Sequence, residues 1–310
     1  MEFNDIAILL TENCNARCKM CCDSRGLVKG KTLSIDELDI ILHNIALCDE
    51  IKVIGITGGE PMLYPELIKH ITDYDYRRKV SVTIKTNGFW GYDRSKAENF
   101  IKENRDKISF ISLSYDGFHK EFIPVDSIKN IIEISAQYGI NTDVVGCFLN
   151  DGIQPGDILN ELGESGYYTK FCYQPVIQTG AAKLFDEGKL VKLLDTEKIE
   201  IRCIGVVNPD ILINPYLKVF PCCSQVIENT ILEFGNLSEN TLSDIINRIK
   251  HNKIMFTLFT EGFRPFINFM KAREIPYPQD LASPCELCAF LFENDWFLKE
   301  LSENGFYQNI

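Results

Sequence analysis

Cys14, Cys18 and Cys21 follow one another at the spacing C-x3-C-x2-C, within the stretch AILLTENCNARCKMCC that runs from Ala7 to Cys22. Three thiolates this close together leave the four-ligand shell of a structural zinc site one ligand short. They suit a [4Fe-4S] cluster instead, since soft thiolates are its usual ligands. Held through three of its irons, such a cluster keeps its fourth iron open to a small chelating molecule. Four apolar residues, Ala7 to Leu10, lead into this polar turn and read as a buried strand.

The other half of the chain carries a second set of thiols. Cys203 comes first, then Cys222 at the end of a hairpin predicted over residues 211–221 with its turn at Asn214-Pro215, then the pair Cys285-x2-Cys288. Four thiolates of this kind hold either a second cluster or a zinc ion, because C-x2-C serves both. Cys223 is tethered to Cys222 and so sits beside whatever metal that set holds. Cys48, Cys147 and Cys172 fall on the apolar side of a helix or within strands and read as packing residues, as does Cys22 under the first cysteine loop.

The elements that must position these groups alternate. Ser34 with Glu37 forms a capping box, and Ile35, Leu38, Ile41, Leu42 and Ile45 then recur at helical spacing. Strands are predicted at 52–57, 79–86, 108–114, 141–148 and 169–176, with helices at 65–74, 96–104, 125–138 and 157–164 between them. With the first strand, this makes six β/α units at intervals of roughly thirty residues, the pattern of parallel strands joined by right-handed crossovers. Six units predict an α/β fold with an open, partial TIM-like barrel rather than a closed eight-fold one. Chemistry in such barrels sits behind the strand C-termini, and polar motifs fall there: Gly58-Gly59-Glu60-Pro61 after the second strand, Lys85-Thr86-Asn87-Gly88 after the third, and Ser112-Leu113-Ser114-Tyr115-Asp116-Gly117 after the fourth. Two glycines let backbone approach a ligand closely, and the carboxylate beside them can accept from an ammonium.

Composition narrows the classes. A hydrophobic content of 45% supports a sizeable core, and a net charge of -12 argues against general nucleic-acid binding, which neutralises phosphates with Lys and Arg. No stretch reaches transmembrane length and the first residues do not read as a signal peptide, so no membrane partner is expected. Twelve cysteines without a secretory signal point to thiols kept reduced in a cytoplasmic setting, where metal binding or catalysis outweighs disulfides.

The triplet, the GGEP motif and the TNG and SxDG strand ends resemble the radical SAM superfamily. The resemblance implies a partial (β/α)6 barrel over residues 1–185. It also implies S-adenosylmethionine (SAM) on the open iron of a [4Fe-4S] cluster held by Cys14, Cys18 and Cys21. Gly58, Gly59 and Glu60 would meet the methionine amine, and Lys85, Asn87 and Ser114 the ribose and carboxylate. Met20 stands where the family usually has an aromatic residue, and Lys120 is the nearest base where relatives often place an arginine. Cys203, Cys222, Cys285 and Cys288 resemble the Twitch form of the SPASM region, implying residues 186–310 as an auxiliary domain with a second [4Fe-4S] cluster. Over its length the chain looks like the radical SAM peptide epimerases of the YydG type. That likeness implies inversion of L-residues to D-residues in a ribosomally synthesised precursor peptide, with Cys223 as hydrogen donor and a flavodoxin- or ferredoxin-type protein as external reductant. The alternatives carried beside it are a peptide maturase forming a thioether or carbon–carbon crosslink, and an iron–sulfur electron-transfer or zinc-binding protein.

Overall fold

In the computed structural model, residues 2–22, 30–198, 200–203, 209–224 and 226–303 are described. The N-terminal half is the expected alternation: β1 (Asp5–Leu9), α1 (Ile35–Leu47), β2 (Val53–Thr57), α2 (Pro65–Asp73), β3 (Ser81–Thr86), α3 (Arg94–Asn104), β4 (Ile108–Ser114), α4 (Val125–Gln137), β5 (Asn141–Phe148), α5 (Pro155–Leu162) and β6 (Lys170–Pro175). Helix α1 starts where the sequence says, with Ser34 Oγ accepting from Glu37 N and the Glu37 carboxylate accepting from Ser34 N. Two-residue periodicity sorts each strand. In β1, Ile6 and Ile8 are fully buried against the helices while Asp5 and Ala7 take the opposite face. Strands β1 to β6 pair in parallel and in order, so all six C-terminal ends open on one rim.

The second half begins with β7 (Leu194–Asp195) and continues through β8 (Asp210–Ile213), β9 (Lys218–Phe220) and β10 (Gly235–Asn236) to α6 (Leu242–His251). Then come α7 (Lys253–Thr260), α8 (Arg264–Ala272), β11 (Asp280–Leu281), α9 (Pro284–Phe292) and α10 (Trp296–Glu303). The predicted hairpin is β8–β9, turning on Asn214, whose Oδ1 accepts from Tyr216 N and Lys218 N. Its place in the fold is not written in any local pattern. Strand β8 pairs in parallel with β1, giving one sheet of nine strands in the order β10-β9-β8-β1-β2-β3-β4-β5-β6. The barrel is therefore extended on its β1 side and open at β6. The hydrophobic core runs through both halves, from Ile6 and Ile41 to Phe266, Phe292 and Phe297. Among the described residues, no helix is long and apolar enough to cross a membrane.

Register decides what lies at each end. Asp5 at the start of β1 is level with Asp210 at the start of β8, and Ile8 with Ile213. The cysteine triplet follows the far end of β1. Strand β9 runs antiparallel to β8, with Leu212 opposite Phe220, so the chain leaving Phe220 heads back towards Asp210. Cys222 and Cys223 are thus carried to the N-terminal end of the barrel strands.

Candidate active site

The cluster loop is held to the rim by backbone. Thr11 O accepts from Gly59 N and Asn13 O from Glu60 N, and an added Cβ at Gly58 or Gly59 would collide with the backbone of residues 11–13. Gly58, at φ 155°, and Gly59 therefore let β2's exit lie directly on the cysteine loop. From the opposite side, Ala181 N donates to Cys21 O, and Gly180 presses on the carbonyl of Cys22. The segment after β6, with Gly180 and Ala181, is thus a clamp on this loop.

Behind the loop is a cavity of about 410 Å³ whose wall includes Cys14, Cys18, Cys21, Gly58, Gly59, Lys85, Asn87 and Ser114. Eight of the nine residues expected at the SAM site and its cluster line it, joined by Thr57, Thr86, Arg17 and Met20. Glu60 is the exception. It is 0% exposed and absent from the wall. Its Oε1 accepts from Met62 N and Thr86 Oγ1 at 2.9 and 2.7 Å, and its Oε2 from Asn87 N at 2.7 Å. The carboxylate ties the exits of β2 and β3 together. Burial pushes its pKa up to about 7 against the pull of those donors. Asn87 in turn sends its amide to Asn15 Oδ1 and towards Cys14 Sγ. Lys120 is drawn outwards by Glu161, 2.8 Å away, and does not line the cavity.

One reading of a thiol changes. Cys48 is a core residue and Cys147 packs against Leu149, Val176 and Ala182, as expected, though Cys147 also lines the cavity, while Cys172 is exposed and faces the cavity instead of packing. Cys147 and Cys172 lie on the same face of β5 and β6, where Val145 pairs with Cys172 and Cys147 with Gln174. Burial pushes the Cys147 thiol up to about 12, with the Asp116 charge adding to it.

Sequence reasoning gave Asp116 no role beyond its place in the SxDG strand end and passed over His119. Asp116, 1% exposed, does shape the turn, accepting from Phe118 N and His119 N, and it also accepts from Cys147 N on β5. Its Oδ1 is 2.9 Å from His119 Nδ1. Burial alone would lower the His119 pKa; the hydrogen bonds and charges of Asp116 and Cys18 carry it up to about 10. The available signal was the i,i+3 spacing of Asp116 and His119 directly behind a strand end.

At the other end, Cys203, Cys222, Cys285 and Cys288 come together. Cys222 and Cys288 are enclosed, and each has its thiol pKa pushed far up by burial and then by the neighbouring cysteines. Among the described residues no three His, Cys, Asp or Glu side chains close into the tight shell of a single ion. Beside this set, Cys223 donates its S–H to Asp210 Oδ2 at 2.6 Å, and Asp210 Oδ1 accepts from Cys223 N. Cys223 is open to solvent yet ringed by protein, and that enclosure, followed by the Asp210 carboxylate, drives its pKa well above the ordinary thiol value. Lys85, on the cavity wall, is near enough to pull the pKa of both Cys147 and Cys223 downwards.

The chain is matched over residues 8–161 by the Radical SAM superfamily. It is 27% identical over 296 residues to the "Putative peptide biosynthesis protein YydG" of Bacillus subtilis (strain 168), covering 93% of this chain and 92% of that one. To the GTP 3',8-cyclase of Clostridium perfringens (strain 13 / Type A) it is 27% identical over 213 residues, 64% of each chain. Among solved structures, Streptococcus suis SuiB bound to the precursor peptide SuiA superposes with a TM-score of 0.61 at 14% identity, covering 93% of this chain and 77% of that one. Native anSMEcpe with bound AdoMet and Kp18Cys peptide gives a TM-score of 0.56 at 15% identity, covering 97% and 96%. These two show the fold.

Proposed function

Residues 8–161 are a radical SAM domain, and on that premise we propose that the protein inverts L-residues to D-residues in a ribosomally synthesised peptide, with Cys223 as hydrogen donor. The observation that carries this reading is the placement of Cys223 at the opposite end of the barrel interior from the triplet. From Asp5 to Leu9 strand β1 rises about 13 Å, and the two sites lie beyond its two ends. A peptide residue held between them offers one face of its Cα to each.

The residues of the N-terminal site fit a site-differentiated cluster with SAM: three thiols on one loop, a cavity behind them, and glycine backbone at its edge. When bound, that pair supplies a 5′-deoxyadenosyl radical, which takes the Cα hydrogen and leaves a planar carbon. Cys223 then gives its hydrogen atom from the opposite face: the S–H bond breaks, a Cα–H bond of inverted configuration forms, and a thiyl radical remains. A donor of this kind must be protonated, and the raised thiol pKa keeps it so at neutral pH. Asp210 aims the S–H and is the nearest carboxylate to return a proton. The adjoining four thiols, with Cys222 the chain neighbour of Cys223, would hold the group that supplies the electron. We take residues 186–310 as the auxiliary unit holding a second [4Fe-4S] cluster there, recharged by an external flavodoxin- or ferredoxin-type reductant. The enclosure of Cys222 and Cys288 beside Cys203 and Cys285 supports a shared metal site. The name of the Bacillus relative supports a peptide substrate.

The test incubates candidate precursor peptides, starting with the product of any short reading frame found beside this gene, anaerobically with enzyme, SAM and reductant in heavy water. Inverted residues should each carry one deuterium. Cys223→Ala should still cleave SAM and abstract hydrogen but yield no D-residues. D-residues at the wild-type rate from Cys223→Ala would overturn the assignment, and a product lighter by two hydrogens would point to a crosslink.

A further inference from the structure

Strand β6 ends the nine-stranded sheet, with β5 as its neighbour on one side. Just beyond the strand, Val176 N donates to Phe148 O at the end of β5. Backbone groups alternate in direction along a strand, so Gln174, Cys172 and Lys170 also face β5, while Phe171 and Tyr173 turn N–H and C=O outwards. Among the described residues, no strand pairs with that outer edge, and no group bonds to the main chain of Phe171 or Tyr173 there. Exposed edges invite another chain, and natural sheets shorten, cover or blunt them. Here Pro175, which has no N–H, blunts one end of the edge and leaves Phe171 and Tyr173 open.

Both faces beside this edge suit an extended peptide. On the inner face, Cys172 is exposed, and Cys172 and Gln174 line the same cavity as Cys14, Cys18 and Cys21. That face is also short of bulk. Ala7, Gly55 and Thr83 lie level across β1 to β3, and Lys85, Ser112 and Asp143 across β3 to β5, where a closed barrel is filled by branched apolar residues. On the outer face, a Cβ at Gly166 would touch both Leu159 and Phe171. Leu159, Tyr167 and Tyr168 are 46%, 88% and 61% exposed there, an apolar rim ahead of β6. Side chains of a strand alternate between two faces, so a strand added here sends every second residue towards the cavity and the others over this rim.

We propose that the open edge of β6 is the docking site of the peptide substrate, whose segment flanking the altered residue adds to the sheet as a further strand through the N–H and C=O of Phe171 and Tyr173. The inference rests on the reading of a peptide substrate, not on which reaction follows. Main-chain bonds of this kind give affinity, and the alternate side chains give specificity. A second copy of this chain is the other occupant an edge can take, but it would stand across the side of the cavity that Cys172 and Gln174 line.

Overlapping synthetic segments of candidate precursor peptides are titrated by fluorescence anisotropy against the reconstituted enzyme, with SAM but without reductant, so that binding is read without turnover. With a segment bound, residue-resolved amide hydrogen exchange should slow about tenfold or more at Phe171 and Tyr173. It should not change at Cys172 and Gln174, whose N–H groups already face β5. N-methylation of successive residues in the segment should weaken binding about tenfold at every second position of the paired stretch, and little between. A bound segment that leaves exchange at Phe171 and Tyr173 unchanged, or N-methyl effects without a two-residue period, overturns the docking while leaving the peptide substrate in place. A dimer by light scattering, with both amides protected before any peptide is added, overturns it in favour of a second copy. If no segment binds, the docking and the peptide reading fall together. Protection at both amides with no D-residues after reductant is added supports the docking and counts against the epimerase reading alone.

Discussion

Replacing Glu60 by glutamine should change how stability depends on pH. The carboxylate is 0% exposed, and its pKa rises from 4.5 to about 7 on folding. A group whose folded pKa lies above its unfolded one stabilises the fold fully only below the unfolded value, and that contribution is lost as pH rises through the folded one. Between pH 5 and pH 8 the wild type should therefore lose about 2.5 kcal/mol that Glu60→Gln does not lose. All other titrating groups are common to both proteins and cancel in the difference. Glutamine also has a fixed cost. With its oxygen placed to accept from Met62 N and Thr86 Oγ1, its NH2 faces Asn87 N, donor against donor, which costs about 1–3 kcal/mol. Glu60→Gln should thus be the less stable protein at pH 5, with the gap closing or reversing by pH 8. Urea unfolding under anaerobic conditions at half-unit pH steps measures the difference directly. A wild type and variant whose stabilities run parallel across that range would refute the reasoning, because a carboxylate that stays ionised throughout contributes no such slope.

Three further outcomes follow from the same geometry. Replacing Cys14, Cys18 and Cys21 together by alanine should abolish SAM cleavage, scored as 5′-deoxyadenosine, while the C-terminal site keeps its iron. Cys285→Ala or Cys288→Ala should reduce iron from about eight to about four per chain and lower the melting temperature, since the metal staples a region with short strands; unchanged iron and melting would remove both from the ligand set. Gly180→Ala should weaken the N-terminal site, because Gly180 has φ 55° and its Cβ would fall on the Cys22 carbonyl. The αL conformation alone costs about 1–2 kcal/mol. A variant with full iron and wild-type SAM cleavage would show that the clamp is dispensable.

What was legible in the sequence is what short-range chemistry and periodicity encode. The six β/α units appear within a few residues of their expected bounds, because the alternation of Val82 and Ile84 in β3, or the apolar stripe of Ile128, Ile131 and Ile132 in α4, is a local record of burial. The triplet and the glycine pair sit at the rim because strand ends set their position. Three things were not legible, and each depends on contacts distant in sequence. Glu60 looked like a ligand-facing acid since its motif names the loop but not the rotamer, and Met62 N, with Thr86 Oγ1 and Asn87 N at the end of β3, draws it inwards. Cys172 looked like packing since strand patterns say which residues share a face, but not that its face lines the cavity. The pairing of Asp5 with Asp210 spans most of the chain and leaves no periodic trace. Yet that pairing, with the reversal of β9, carries Cys223 to the far end of the barrel from Cys14. A thiol donor on the triplet's own rim would return hydrogen to the face it was taken from. The same hairpin placed beside β6 would leave Cys222 and Cys223 next to no strand level with Asp5. On the proposed reaction, stereochemical inversion would therefore rest on one non-local strand pairing.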